Sequence, residues 1–164
     1  MRLTTKGRYA VTAMLDLAFH GDQGSITLAQ ISQRQGVSVS YLEQLFAKLR
    51  RCKLVTSARG PGGGYRLASN PAQISVAQIV EAVDESMDAT RCLGKADCQQ
   101  GEMCLTHHLW SDLSARLQQF LNEISLADLL CREDIRGVHS RQKEPGCGLD
   151  PLTTNLEQII SSGR

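Results

Sequence analysis

The sequence predicts a mainly α-helical fold: a winged helix-turn-helix with a small β-hairpin wing, followed by one long helix. Three observations predict it. Two short amphipathic helices are joined by a Gly-containing turn, a glycine-rich segment then separates two short β-type runs, and a long apolar stripe at helical spacing occurs later. We expect three parts, which are a winged-helix lobe (1–68), a lobe with the long helix (69–131) and a mostly disordered tail (132–164).

The first helix is predicted from about Gly7 to Phe19, because apolar residues recur on two of its faces and so imply two packing partners. A second helix follows Thr27, which is the expected N-cap, with Gln30 completing a capping box. It should end near Gly36, which tolerates the left-handed C-cap conformation.

A third helix is expected to begin near Ser38 or Ser40 and to continue to Arg51. Its apolar residues have the i, i+3, i+4, i+7 spacing of a core-facing stripe: Leu42, Leu45, Phe46 and Leu49. The polar side chains on its outward face are Ser40, Tyr41, Glu43, Gln44 and Lys48. This pair of helices has the form of a DNA-binding helix-turn-helix, whose second helix presents its exposed side chains to base edges.

A glycine-rich tip connects the two predicted strands, 54–57 and 65–67. It begins with Arg59 and Gly60, and a basic residue at the tip of such a wing can enter the minor groove. A phosphate-binding loop is disfavoured, because no Gly-Lys-Ser/Thr follows and the segment leads into a strand rather than a helix.

Charge is distributed unevenly along the chain. Residues 1–68 hold 10 basic and 3 acidic side chains, a net +7, whereas residues 69–164 hold 8 and 14, a net −6. A random scatter of surface charge is the alternative, but a basic lobe with a helix-turn-helix favours nucleic acid as the partner. Because no basic start leads into an uninterrupted apolar run, we expect no membrane span and a cytoplasmic protein.

The acidic lobe is expected to contain a fourth helix, the long helix and a last short helix. Capping boxes are predicted at Ser75 with Gln78 and at Ser125 with Asp128. The apolar stripe of the long helix comprises Leu105, Leu109, Leu113, Leu117, Phe120, Leu121 and Ile124. Its simplest partner is the same helix of a second copy, which predicts a homodimer; packing on the first helix is the alternative, and both can hold. From residue 132 onwards only a weak helical pattern appears, around 156–160.

Cys92, Cys98, Cys104 and His107 lie within 16 residues and form the candidate metal site. Three cysteines cannot all pair with one another in disulfides, since one is left over. A reducing compartment also keeps thiols free, so metal ligation is favoured. We expect Cys104 at the start of the long helix, where the helix dipole favours its thiolate, with His107 on the same helical face. Structural zinc also accepts three Cys and one His, although its Cys pairs are usually more closely spaced than the five-residue gaps found here.

Other roles for the cysteines are less favoured. An enzyme with a Cys104 nucleophile would need a separate base, an orienting group and a cleft, and the sequence offers none, so no catalytic activity is expected. Cys52, Cys131 and Cys147 are expected to be ordinary packed or surface cysteines.

Four segments together resemble the IscR family of bacterial iron–sulfur cluster regulators, over roughly residues 1–130: Met1-Arg2-Leu3-Thr4, the wing 59–65, and the ligand segments 89–92 and 104–107. The resemblance implies a dimeric winged-helix transcription factor that controls cluster-assembly genes. It implies a 2Fe–2S cluster on Cys92, Cys98, Cys104 and His107, supplied by the cluster-assembly machinery. We also expect binding to roughly palindromic double-stranded DNA operators. The alternative function is that of a zinc-stabilised DNA-binding module or an iron–sulfur cluster carrier. The expected DNA contacts are Arg2, Ser40, Tyr41, Glu43, Gln44, Lys48, Arg59 and Gly60.

Overall fold

The computed structural model describes residues 5–60, 62–83, 87–90 and 92–143. The helices are α1 (Thr5–His20), α2 (Leu28–Gln35), α3 (Val39–Arg51), α4 (Val76–Ala82), α5 (His107–Glu123), α6 (Leu126–Cys131) and α7 (Glu133–Lys143). The strands are β1 (Val55–Ala58) and β2 (Gly64–Leu67), and short 3-10 turns occupy Gly21–Gln23 and Pro71–Gln73. The mainly α-helical prediction with one hairpin is therefore confirmed. In the part of the chain that is described, no helix is both long enough and apolar enough to cross a membrane.

The helix-turn-helix is bounded by the capping groups that the sequence predicts. The Thr27 hydroxyl accepts from the Gln30 amide at 3.3 Å, and the Thr27 amide donates to Gln30 Oε1 at 2.9 Å. Gly36 ends α2 at a left-handed φ of 66°. Of the two possible starts for α3, Ser38 is the N-cap, since its side chain accepts from the Tyr41 amide.

Helix α1 is the centre of the core. It contacts α2, α3 and β2 of the predicted basic lobe and α4 and α6 of the predicted acidic lobe, so it packs against elements of both. Its buried apolar residues join the buried face of α3 in one cluster, which also includes Ile79 and Leu126 from beyond the predicted boundary at residue 68. The basic and acidic lobes therefore share a core.

The wing is an antiparallel hairpin in which Val55 pairs with Leu67 and Ala58 with Gly64. A further bridge joins it to the segment before α2, because Ile26 and Tyr65 exchange backbone hydrogen bonds of 2.9 and 2.7 Å. A Cβ on Gly64 would lie 2.6 Å from the Ile26 carbonyl oxygen, so only glycine allows this close approach.

Helix α5 divides its apolar stripe between two environments. Toward its C-terminal end, Leu117, Leu121 and Ile124 pack against a buried cluster formed mainly by α4, to which Val11 of α1 also packs. The idea that α5 packs on the first helix alone is therefore wrong, since α4 is its main partner within the chain. Toward its N-terminal end the apolar side chains remain exposed, among them Leu109 at 61% and Leu113 at 39%.

The start of α5 differs from the prediction. The helix begins at His107, so Cys104 and Leu105 precede it rather than forming its first turn. The chain turns just before the helix, where the His107 amide donates to the Cys104 carbonyl at 3.1 Å, and the Leu105 side chain is fully exposed. The expectation that Cys104 and His107 share one helical face is therefore wrong.

The structure also contradicts the prediction that disorder begins at residue 132, because α7 follows α6 directly. The His139 ring stacks on Phe19 with the ring centroids 4.0 Å apart, and Gln35 Nε2 donates to Gln142 Oε1 at 3.2 Å. These contacts hold α7 on α1 and α2. The rest of the predicted tail, 144–164, with Cys147 and the weak helical pattern at 156–160, lies outside the described residues.

Candidate metal centre and nucleic-acid interface

The segment between α4 and α5 brings three of the four predicted metal ligands together. Cys92 Sγ lies 3.5 Å and Cys98 Sγ lies 3.4 Å from His107 Nδ1. One donor atom from each of these residues lies within 4.8 Å of the others. His107 is buried and the two thiols are half-buried, which is an arrangement suited to enclosing a metal on the protein side.

Cys104, the fourth predicted ligand, lies beside this group of three donors but is not part of it. Its amide donates to Cys98 Sγ at 3.4 Å, and its own Sγ lies 3.8 Å from the Thr106 hydroxyl. A cavity of about 470 Å³ lies beside three of the four candidate ligands, and its lining residues are Ala89, Thr90, Cys98, Gln99, Cys104, Thr106, His107 and Trp110. Cys104 therefore lies on the wall of the same cavity as Cys98 and His107.

The surroundings of the thiols change their acidity. Burial raises the pKa of Cys92, but hydrogen bonds from the Thr90 hydroxyl and from neighbouring backbone amides outweigh it and lower that pKa to about 7. The pKa of Cys104 is lowered by a hydrogen bond with the Cys98 thiol and by others with Thr106. For Cys98, a backbone hydrogen bond from Cys104 is outweighed by burial and the two neighbouring thiols, which raise its pKa. Cys92 and Cys104 therefore ionise more readily than an ordinary cysteine, and the ionised thiolate is the form that ligates metals.

We call the described residues between Met87 and His107 the ligand loop, because they include the three candidate cysteine ligands. Several residues of this loop have backbone angles in the left-handed region, where residues other than glycine are uncommon. Leu93, Ala96 and Gln100 have φ values of 53°, 62° and 51°. Such conformations cost about 1–3 kcal/mol each and are concentrated at functional sites. In this loop they occur beside the Gly94 and Ala96 amides, which hydrogen-bond to Cys92. The strained backbone and the lowered pKa of Cys92 therefore belong to the same loop conformation.

Sequence reasoning missed the residues that hold this loop on α5, namely Asp88, Thr90 and Ser114. The Thr90 amide donates to Asp88 Oδ1 at 2.7 Å, and the Ala89 amide donates to Ser114 Oγ at 2.8 Å. Hydrogen bonds from the Thr90 side chain and backbone lower the pKa of Asp88. The Asp-Ala-Thr sequence is a local turn signal, whereas the tie to Ser114 spans 25 positions and has no local signal.

The predicted recognition helix, α3, presents the expected side chains. Ser40, Glu43 and Gln44 are exposed, whereas Tyr41 and Lys48 are half-buried. The Tyr41 ring packs edge-on against Tyr9 of α1, with 5.9 Å between centroids, so it is held at the start of α3.

The wing tip is exposed at Arg59 and Gly60, as expected for a group that contacts DNA. Sequence reasoning missed Arg50, whose Nη1 donates to Ser57 Oγ at 3.4 Å and so links α3 to β1. It also missed Arg66 on β2, whose Nε donates to Ser25 at 3.0 Å. Both are exposed basic residues, with Arg50 on α3 and Arg66 on the wing strand β2. Their positive charge is the sequence feature that could have identified them as candidate DNA contacts. Arg2, another predicted contact, lies outside the described residues.

Comparison with known sequences finds matches over nearly the whole chain. The Rrf2 pattern, described as an iron-dependent transcriptional regulator, matches residues 3–132. The HTH-type transcriptional regulator IscR of Aliivibrio salmonicida is 54% identical over 163 residues, covering 99% of this chain and 97% of that protein. The IscR of Vibrio cholerae serotype O1 is 59% identical over 142 residues, with 87% and 82% covered.

Solved structures show the same architecture. The IscR structure from T. potens has a TM-score of 0.67 and 35% identity, covering 89% of this chain and 94% of that one. The global cysteine regulator CymR of B. subtilis has a TM-score of 0.68 and 32% identity, with 79% and 95% covered. The similarity therefore extends from sequence to fold over both predicted lobes.

Proposed function

Because this chain belongs to the Rrf2 family of iron-dependent transcriptional regulators, we propose that it is a cytoplasmic, homodimeric, DNA-binding regulator that senses iron–sulfur cluster status. It would do so through a bound 2Fe–2S cluster, received from the cluster-assembly machinery, and would control cluster-assembly genes. The observation that carries this proposal is the group of Cys92, Cys98 and His107 donors beside a cavity, in a chain with a winged helix.

In this proposal Cys92, Cys98, Cys104 and His107 hold the cluster. The donor set fits, since thiolates and imidazole are the soft and borderline ligands that iron–sulfur centres use. A bound cluster would supply a redox-active, chemically labile centre. The His107 imidazole is neutral as a ligand and can be lost to a proton, so this set favours a sensor over a permanent electron carrier.

The exposed apolar side chains of α5, which extend as far as Phe120, support the homodimer. Leu109, Trp110, Leu113 and Phe120 are 61%, 42%, 39% and 59% exposed in the single chain. Such a row of large apolar side chains on one helix marks a protein interface, and a second copy offers the identical helix. A two-fold dimer places its recognition helices on two half-sites, which would explain a palindromic operator.

The basic lobe, residues 1–68, would supply the DNA contacts. We place Ser40, Tyr41, Glu43, Gln44 and Lys48 of α3 at the major groove, where exposed side chains at the start of a recognition helix reach base edges. Arg59 and Gly60 would contact the minor groove or backbone from the wing tip, and Arg2 would contact the DNA from the segment before α1. The acidic lobe, residues 69–131, would bind the cluster and would contain α5, the proposed dimer helix.

The test is anaerobic purification of the full chain, with visible absorption and analysis of iron, sulfide and zinc. We expect a coloured protein with two iron and two sulfide per chain, whose spectrum is abolished by Cys92→Ala, Cys98→Ala or Cys104→Ala. Cys52→Ala and Cys131→Ala are the matched controls, because both thiols are exposed and free outside the ligand loop. Colourless protein with one zinc per chain, or loss of the spectrum in a control, would contradict the proposal.

A further inference from the structure

We propose that Thr90, together with Asp88 and Ser114, positions the ligand loop on α5 and thereby holds Cys92 at His107. We call Asp88, Ala89, Thr90, Gly94 and Ser114 the loop anchor. The inference rests on the proposed function, because Cys92 and His107 are taken as cluster ligands. None of the anchor side chains is proposed as a ligand.

Thr90 fixes the chain on both sides of Cys92. Before this ligand, the Thr90 amide donates to Asp88 Oδ1 at 2.7 Å; after it, the Gly94 amide donates to Thr90 Oγ1 at 2.7 Å. Gly94 has a left-handed φ of 79°, which glycine adopts without strain. One threonine therefore closes the turn that carries Cys92.

Ser114 attaches this turn to the helix that carries His107. Its Oγ accepts from the Ala89 amide at 2.8 Å, and its hydroxyl lies 2.7 Å from the Trp110 carbonyl and 3.4 Å from Asp88 Oδ1. Ser114 is seven positions, or about two helical turns, beyond His107. The turn that carries Cys92 is thus attached to the same helix that carries His107.

Apolar packing does little to hold the loop. Between Met87 and His107, the only residue that is buried is Thr90, among the positions that the structure describes there. Met87 belongs to the cluster around α4, but no loop residue after it joins either apolar cluster of the described chain. The hydrogen bonds of the loop anchor, rather than apolar packing, therefore keep the loop in one conformation. Loss of one of these hydrogen bonds should make local opening of the loop more frequent.

The experiment compares Thr90→Val and Ser114→Ala in the full chain. Valine keeps the shape of Thr90 but removes the hydroxyl that accepts from Gly94, and alanine removes the acceptor of the Ala89 amide. Thr90→Ser retains the hydroxyl and is the conservative rescue. Ser111→Ala changes an exposed serine on the same helix and is the matched control.

Two readouts are needed. In cluster-free protein, amide hydrogen exchange by NMR should accelerate about tenfold at Gly94 in Thr90→Val and at Ala89 in Ser114→Ala, as expected for one lost hydrogen bond. In cluster-loaded protein, loss of the visible spectrum in the presence of a chelator should be about tenfold faster in both variants, the usual effect of removing a group that orients a metal ligand. Thr90→Ser and Ser111→Ala should stay within about twofold of the parent in both measurements.

Parent-like exchange and parent-like cluster loss in Thr90→Val and Ser114→Ala would overturn the inference. Faster exchange with unchanged cluster loss would also overturn it, since the anchor would then not position a ligand. If the parent itself holds no cluster, the proposed function fails. The anchor is then judged by exchange alone, with faster rates at Gly94 and Ala89 supporting it and unchanged rates refuting it. Unchanged circular dichroism and thermal unfolding in both variants would exclude global misfolding as the cause.

Discussion

Replacing Asp16 by Asn should destabilise the helix-turn-helix far more than its small change in shape suggests. The Asp16 side chain is 1% exposed and accepts from Arg34 Nε at 2.9 Å and from Arg34 Nη2 at 2.6 Å. Gln35 Nε2 also donates to it, at 2.8 Å. This carboxylate, on α1, therefore receives three donors from the end of α2.

An asparagine would keep one acceptor oxygen but would direct its NH₂ group at a donor and leave the guanidinium without its counter-charge. Loss of one charge-assisted hydrogen bond costs about 1.5–3 kcal/mol. Breaking a buried pair costs about 3–5 kcal/mol, and we take a lower value because Arg34 remains 20% exposed. The expected loss is about 3 kcal/mol in the free energy of unfolding, or about 10 °C in Tm for a domain of this size.

Urea denaturation followed by circular dichroism measures this loss, with Asp22→Asn as the control on an exposed carboxylate in the following 3-10 turn. The control should differ from the parent by less than about 0.5 kcal/mol. If Asp16→Asn were as stable as Asp22→Asn, the buried ion pair would not stabilise the contact between α1 and α2.

Three further predictions concern the proposed functions. Arg59→Ala should weaken DNA binding and reduce the slope of log affinity against log salt by about one if Arg59 contacts a phosphate, or relax an A/T preference if it enters the minor groove; unchanged binding at every salt concentration would remove the wing from the interface. Glu43→Ala should change the ratio of affinities between operators in cluster-free protein, because a carboxylate accepts from cytosine N4 but meets the acceptors of guanine unfavourably. An unchanged ratio in a competition assay would show that Glu43 does not discriminate between operators. In cluster-free protein, alkylation of Cys92 by iodoacetamide should rise through pH 7, because its pKa is lowered to about 7 from 9.0, whereas Cys98, whose pKa is raised, should react only at higher pH. Peptide mapping that showed Cys98 reacting before Cys92 would contradict this assignment of the thiolate. Because the pKa of Cys92 is lower in the folded protein than in the unfolded chain, ionisation of Cys92 also stabilises the folded loop, fully above about pH 9 and progressively less as the pH falls through 7.

The sequence predicted best the features that are encoded locally. The capping boxes at Thr27, Ser75 and Ser125 are all present, because each depends on a side chain and an amide three residues apart. The buried face of α3 and the hairpin were also predictable, since periodicity and turn glycines determine them.

Features that depend on distant contacts were missed. Helix α7 has little apolar periodicity and contains Gly137, and its contacts come from Phe19 and Gln35, more than 100 residues away. The start of α5 was placed too early, because the turn between Cys104 and His107 is part of the ligand loop. The four candidate ligand residues were chosen from their spacing and from the resemblance, and their role as ligands stays a prediction, whereas the hydrogen bond between Ala89 and Ser114 required the fold.

The proposal that this chain senses cluster status makes one central claim, which is that cluster occupancy in the loop before α5 changes DNA recognition by α3. The two sites are joined by packed elements, since α5 packs on α4, α4 on α1, and α1 on α3. The most direct test is to measure the affinity of cluster-loaded and cluster-free full-length protein, at fixed salt, for operators selected from a random-sequence duplex pool. A coupling of about 1–3 kcal/mol predicts an affinity difference of about 5- to 150-fold for at least one class of operator. Equal affinities of the two forms for every selected operator would contradict the claim.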